Sequence, residues 1–369
     1  MKNDTTVFVG RDVHKDSISV AAVGSSEADP VIEIGRVGTR HYDIERLLKR
    51  LSGLGRPRLV YEAGPCGFWL QRLLREKGIE CVVVAPSLIP KRPGDRVKTD
   101  RRDARNLALA LRAGTLTAVH IPTAEEEAFR DVVRAWQQSK RDVTAARQRL
   151  KSFLLRHDVR YSGRASWSRA HRRWLSELVM EQPPQQVVLQ ELIEAINERE
   201  RRRDRLEAQM DQLAPTWSGY RLAQALQAFR GIQKTVAYTV VSECVAFDRF
   251  AHPSQLMAWL GLVPSEHSSG GTRRQGPITR CGNRWARTLL VEAAWAYRYP
   301  AKVSRIIEAR SQEVDPAIRA LAWKAQVRLC HRYRRLAARG KHANVVVTAI
   351  ARELAAFIWD AARQVPRAA

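Results

Sequence analysis

The fold is decided by residues 5–23, TTVFVGRDVHKDSISVAAV, where a β-rich run at 5–10 ends at Arg11 and Asp12 and a second, SISVAAV, occupies 17–23. Reading outward, a third strand, VIEIGRV, spans 31–37, and a helical pattern covers 41–52. A fourth strand, RLVYEAG, follows at 58–64, then a helix at 67–77, a fifth strand, ECVVVA, at 80–85, and a helix across 100–113. Strands interleaved with helices in this order predict a mixed sheet with helices on both faces.

That β-β-β-α-β-α-β-α order is the ribonuclease-H-like arrangement, and the acidic residues fall at telling places in it. Asp12 is expected just past the first strand and Glu62 at the end of the fourth, so the two carboxylates converge at one sheet edge if those strands are neighbours. Asp100 and Asp103 are three apart, a spacing that puts both on one helix face. Singly, Asp12 reads as a turn residue and Asp100 as a helix N-cap. Together, four carboxylates at one point repel unless cations lie between them, and hard oxygen donors suit Mg2+. Two such ions about 4 Å apart stabilise the entering and leaving oxygens of a phosphodiester displacement. Lys91, Arg92, Arg96, Lys98, Arg101, Arg102 and Arg105 flank the last pair, as a passing phosphate backbone requires.

Composition agrees with a polyanionic partner. There are 63 Lys and Arg against 38 Asp and Glu, a formal charge of +25, far beyond what solubility needs. No apolar run approaches the roughly 18 residues of a membrane span, and no basic segment followed by an apolar stretch opens the chain. A cytoplasmic, nucleoid-associated protein with no membrane partner is expected. Cys66, Cys81, Cys244, Cys281 and Cys330 form no C-x-x-C pair and the histidines show no H-E-x-x-H spacing, so the expected metal ligands are all oxygens.

The remainder reads as helical. Residues 124–218 form a basic helical and coiled-coil segment, 219–325 a mainly α C-terminal domain, and 326–369 a helical extension, after an N-terminal catalytic domain at 1–123. Lys140, Arg141, Arg147, Arg149 and Lys151 begin a basic stretch running to Arg173, an electrostatic footprint for nucleic acid. Phe153, Tyr161, Trp167 and Trp174 are placed to stack on bases or, more simply, to pack a core. Pro183 and Pro184 are expected to break the helix, and Leu189, Ile193, Ile196, Leu206 and Leu213 lie near heptad spacing, suggesting a hairpin that contacts another subunit. The turn Phe229-Arg230-Gly231-Ile232 could present backbone N–H groups to a phosphate. Ser268-Ser269-Gly270-Gly271-Thr272-Arg273-Arg274, with Arg280 and Arg284 downstream, joins a small-residue loop to guanidiniums that can hold a phosphodiester, where a serine hydroxyl can attack phosphorus.

The motifs G-R-D-V-H-K, Y-E-A-G-P-C-G, V-K-T-D-R-R-D-A and G-L-V-P-S-E-H-S-S-G-G with I-T-R-C-G-N-R resemble, in the same order over about 5–320, the transposases of the insertion sequence 110 family, relatives of the Piv invertases. The resemblance implies a RuvC-like domain with a D-E-D-D tetrad at Asp12, Glu62, Asp100 and Asp103, a coiled coil, and a catalytic serine matching Ser269, with Ser268 as the alternative. It further implies recombination of donor and target DNA guided by a structured bridge RNA, a phosphoserine intermediate, and a homo-oligomer, taken as a tetramer. Arg11 departs from the apolar or small residue the family often has there. Two other readings use the same residues: a Holliday-junction nuclease with water as nucleophile, and an RNA-binding protein without catalysis.

Overall fold

The computed structural model describes residues 5–90 and 99–366, so Lys91, Arg92, Arg96 and Lys98 lie outside the described residues. The chain forms two compact units, 1–121 and 122–369.

In the first unit the strands are β1 (Thr6–Val13), β2 (Ile18–Val23), β3 (Ile32–Val37), β4 (Arg56–Glu62) and β5 (Cys81–Val84), and the helices α1 (His41–Ser52), α2 (Trp69–Glu76) and α3 (Asp100–Arg112). The sheet order is β3-β2-β1-β4-β5, with β1, β2 and β3 antiparallel and β4 and β5 parallel to β1. Alternation sends Val7, Val9, Leu59, Tyr61 and Val83 to one face, where Ile44, Leu47 and Leu51 of α1 and Leu70 and Leu74 of α2 cover them. Phe8, Val60, Val82 and Val84 take the other face, against Leu107 and Leu111 of α3. Helices thus lie on both faces of a mixed sheet, as the element order predicts.

Asp12 sits within β1, opposite Ser19, and not beyond the strand as expected. The strand extends because the turn to β2 is tight, with the His14 amide donating to the Ser17 carbonyl at 2.9 Å. Arg11 turns to the opposite face, where it is buried (1 % exposed), stacks over the Tyr61 ring and donates to Cys81 Sγ at 3.0 Å. Its charge is therefore spent inside the sheet and does not reach a phosphate.

The second unit is helical: α4 (Ala124–Arg156), α5 (Arg169–Glu177), α6 (Pro183–Leu213), α7 (Tyr220–Leu226), α8 (Lys234–Cys244), α9 (Pro253–Trp259), a two-stranded ribbon β6 (Pro264–Glu266) and β7 (Gln275–Ile278), then α10 (Arg284–Ala294), α11 (Arg305–Arg310), α12 (Pro316–Ala338) and α13 (Ala343–Gln364). One core takes Phe129, Val133 and Trp136 from α4, Met210 from α6, Leu289 and Leu290 from α10, Leu329 from α12 and Ile350 and Leu354 from α13. The segments read as coiled coil, C-terminal domain and extension share this core.

α4 and α6 run antiparallel, since Trp136 bonds Glu207 near the base while Arg147 reaches Glu200 further out. The far end has its own core of Leu150, Phe153, Leu154, Leu175, Leu189 and Ile196. Pro183 and Pro184 begin α6 and break nothing; at the first turn, proline's missing N–H costs no hydrogen bond. Phe153 is buried, and Tyr161, Trp167 and Trp174 ring His171, so these aromatics pack the hairpin and are not a base-stacking row. At the turn Phe229-Arg230-Gly231-Ile232 the two central residues are half-buried. Phe229 and Ile232 are fully buried and their amides already donate to Leu226 and Phe229, which leaves them unavailable to a phosphate.

Candidate active site

The β1–β4 register ends at Arg11 opposite Tyr61, so Asp12 and Glu62 are the next residues on two adjacent parallel strands. Both stand on the face covered by α3, two residues past Gly10 and Val60 respectively. Helix α3 comes unusually close here. A Cβ built on Gly10 would lie 2.0 Å from the Ala104 carbonyl oxygen and 2.4 Å from the Ala108 nitrogen, so only glycine admits the helix at this distance.

The sheet-facing stripe of α3 is Ala104, Leu107, Ala108 and Leu111, and Asp100 and Asp103 continue it at the N-terminal end. Thr99 is the N-cap, its hydroxyl accepting from the Arg102 amide at 3.3 Å, which leaves Asp100 in the first helical turn and not in the capping role. The positive end of the helix dipole favours carboxylates there. Half-buried Asp12 and Asp100 are brought together, and a histidine joins them: His14 Nε2 is 3.2 Å from Asp12 Oδ2 and 3.5 Å from Asp100 Oδ1. One donor atom from each lies within 4.8 Å of the others, a separation that fits a single cation. Glu62 ends β4 beside Asp12, and Asp103 shares the helix face with Asp100; both are half-buried.

The residues that could hold an ion thus include one nitrogen donor, His14, beside the expected oxygens. The signal in the sequence was alternation: two residues past Asp12, His14 falls on the same side of the strand.

Ser269 lies at the tip of the β6–β7 ribbon. Its amide and carbonyl pair with those of Thr272 across the turn Gly270-Gly271, Gly270 taking the left-handed φ of 58°. The loop is thus a tight hairpin and not a flexible linker. Ser268 is engaged, donating to Glu266 Oε1 at 2.9 Å and accepting from the Arg274 amide at 3.2 Å, whereas the exposed Ser269 hydroxyl is uncommitted among the described residues. Hydrogen bonds from Ser268 and Gln275, with Arg273 nearby, hold the Glu266 carboxyl below the usual carboxylate range. At the ribbon's base the Thr279 and Arg280 amides donate to Val263 and Gly261, and Gly282, at a φ of 98°, lets Trp259 approach. Asn283 caps α10 and also donates to buried Glu243, which Arg134 grips through two nitrogens at 2.6 and 2.8 Å.

The basic residues divide by occupation. Arg147 pairs with Glu200 and lies over Trp167, Lys140 pairs with Glu292, Arg141 stacks on Trp285 at 4.0 Å, and Arg101 pairs with Glu33. Arg149, Lys151, Arg274, Arg280 and Arg284 are exposed, as are Arg102 and Arg273, each of which has a partner of its own. Arg149 also lines a cleft of about 610 Å³ with Arg199, Arg201, Arg202 and Arg205, a concentration of guanidiniums between α4 and α6. No described helix is long and apolar enough to cross a membrane.

An acidic centre at paired strand ends, in a chain this basic, suits an enzyme acting on nucleic acid, and comparison with known proteins gives its class. Residues 9–157 match the DEDD domain of insertion sequence 110, described as a transposase, and residues 223–308 match the Transposase IS116/IS110/IS902 family. A putative transposase of Sinorhizobium fredii, y4qE, is 44 % identical over 97 % of this chain and 88 % of its own length. The transposase for insertion sequence element IS1533 of Leptospira borgpetersenii is 29 % identical over 89 % of this chain and 96 % of its own. The chain belongs to the IS110 family of insertion-sequence transposases. A DEDD domain of this kind points to divalent-metal use, and the donor set around Asp12 and Asp100 fits such an ion.

Proposed function

We propose that this transposase, with a ribonuclease-H-like (RuvC-like) first unit, joins donor and target DNA by strand exchange through a phosphoserine link, guided by a structured bridge RNA. The observation that carries the reading is the meeting of Asp12 and Asp100 beside the strand end that holds Glu62, within a family whose members move insertion sequences. Asp12, Glu62, Asp100 and Asp103 would hold one or two divalent ions, Mg2+ being the abundant choice. Such ions supply Lewis-acid stabilisation of charge on a phosphate.

Ser269 is the nucleophile in this scheme, supported over Ser268 by the latter's two hydrogen bonds. Its Oγ forms a bond to phosphorus as the bond to the 3′ oxygen breaks, so the serine loses a proton and the 3′ oxygen gains one. The 3′-hydroxyl of the partner strand then attacks the phosphoserine and releases Ser269, conserving the number of phosphodiester bonds. Arg273, Arg274, Arg280 and Arg284 are placed around the hairpin to hold the phosphate and offset charge on the displaced oxygen. Lys98, Arg101, Arg102, Lys140, Arg141, Arg149 and Lys151 contribute to holding nucleic acid, while Arg147 serves the hairpin's own structure. Two duplexes need two sites, so the working form is an oligomer, taken as a tetramer in which the serine of one subunit serves the acidic centre of another. It acts on DNA in the cytoplasm, at the nucleoid.

The test incubates protein, guide RNA and labelled DNA, then denatures the mixture. A covalent protein–DNA adduct lost in Ser269→Ala and kept in Ser268→Ala is expected. Full strand exchange by Ser269→Ala would overturn the serine assignment, and unchanged activity in Asp12→Asn would overturn the metal centre.

A further inference from the structure

The acidic centre contains a side chain that a four-carboxylate motif does not account for. His14 projects from the end of β1 on the face that carries Asp12, and its Nε2 lies 3.2 Å from Asp12 Oδ2 and 3.5 Å from Asp100 Oδ1. With metal–ligand bonds of about 2.1 Å, neighbouring ligands around an octahedral ion stand about 3.0 Å apart and opposite ones about 4.2 Å apart. The separations seen here, all within 4.8 Å, are those of ligands that small side-chain rotations would close on one ion. The imidazole is about half exposed, at 52 %, so it is not held there by core packing, and the turn between Val13 and Ile18 fixes its backbone.

Nitrogen changes what such a centre prefers. Mg2+ takes oxygen donors, whereas first-row transition ions take imidazole increasingly along their series, and even Mn2+, the weakest of them, tolerates it better than Mg2+ does. We propose that His14 supplies a nitrogen ligand to the divalent-cation centre built on Asp12 and Asp100, and thereby raises its affinity for Mn2+ relative to Mg2+. The proposal rests on reading those carboxylates as the metal site. The competing role for the ring is that of a cation bridging two carboxylates, which the same distances would serve in the absence of any metal.

The full-length protein is titrated with MnCl2 and followed by electron paramagnetic resonance, with Mg2+ affinity obtained by competition. Pulsed measurements on the bound Mn2+ read out directly coupled ¹⁴N. The expected result is ¹⁴N modulation in the wild type that disappears in His14→Ala. Because losing even an outer-shell partner of a metal costs about 10–100-fold in affinity, His14→Ala should weaken Mn2+ by at least about tenfold, and Mg2+ by much less. Bound Mn2+ without ¹⁴N modulation, or a Mn2+/Mg2+ ratio unchanged by His14→Ala, overturns the role of His14 and leaves the carboxylate centre standing. Mn2+ that fails to bind the wild type, or binds Asp12→Asn equally well, removes both. The wild-type spectrum decides the matter even if the variant folds poorly.

Discussion

The approach of α3 to β1 across Gly10 is the contact on which the acidic centre depends, and Gly10→Ala perturbs it with one methyl group. A carbon beside a carbonyl oxygen settles near 3.4 Å, so a Cβ built 2.0 Å from Ala104 O requires the helix to retreat by roughly 1.4 Å. Overpacking of this kind costs about 2–3 kcal/mol. At 1.4 kcal/mol per factor of ten, amides of β1 and α3 that exchange through opening of this unit should exchange about 30–150-fold faster. Asp100 rides on the retreating helix, and a 1 Å misplacement at a reacting centre costs on the order of 100-fold in rate. Hydrogen exchange read by mass spectrometry on peptides covering 6–13 and 100–112, alongside strand-transfer rates, measures both effects. Gly53→Ala is the control: Gly53 has a φ of −71° and an added Cβ would meet only Arg50 O at 3.4 Å, so exchange and activity should stay at wild-type levels. Wild-type exchange and wild-type activity in Gly10→Ala would refute the idea that this close approach sets the Asp12–Asp100 distance.

Other expectations address the second unit. Glu243→Ala strips the acceptor from Arg134 and from Asn283 in a buried setting, so chemical denaturation should show a loss of about 3–5 kcal/mol, and adduct formation at Ser269 should fall with the loosened α10. Burial alone would raise the Glu200 carboxyl, but Arg172 and Arg147 overcome it and hold it below the usual value of 4.5. Its contribution to stability is therefore complete above that value and disappears as pH falls through the lowered one. Thermal melts of wild type and Glu200→Gln should converge on acidification below about pH 4.5; a gap that stays constant would contradict the pairing. For the cleft, replacing Arg149 and Arg202 by Gln should reduce the slope of log affinity for nucleic acid against log salt by roughly 1 per residue, measured by fluorescence anisotropy. An unchanged slope would place the phosphate path elsewhere.

What sequence could reveal followed from how local each signal is. The first unit was legible because β1, β2, β4 and β5 each carry their own apolar run, and strand order then brought Asp12 and Glu62 side by side. What was not legible there is a single residue's direction: Arg11 stands out in the sequence only as a departure from a small or apolar residue, because its burial depends on Tyr61 and Cys81, which lie on other strands. His14 was missed for a related reason, since a histidine after a strand reads as a turn residue until α3 supplies Asp100 beside it. In the second unit the helices were legible and their grouping was not. Heptad residues Leu189 and Ile196 of α6 pack the far end of the hairpin, while Met210 and Trp136 lie in a core with residues more than a hundred positions away. The basic run was the least informative of all, because charge in a sequence does not say what neutralises it. Arg147 is held by Glu200 while Arg149, two positions on, faces a cleft lined by other arginines, and only the crossing of α4 with α6 separates a structural arginine from one available to a phosphate.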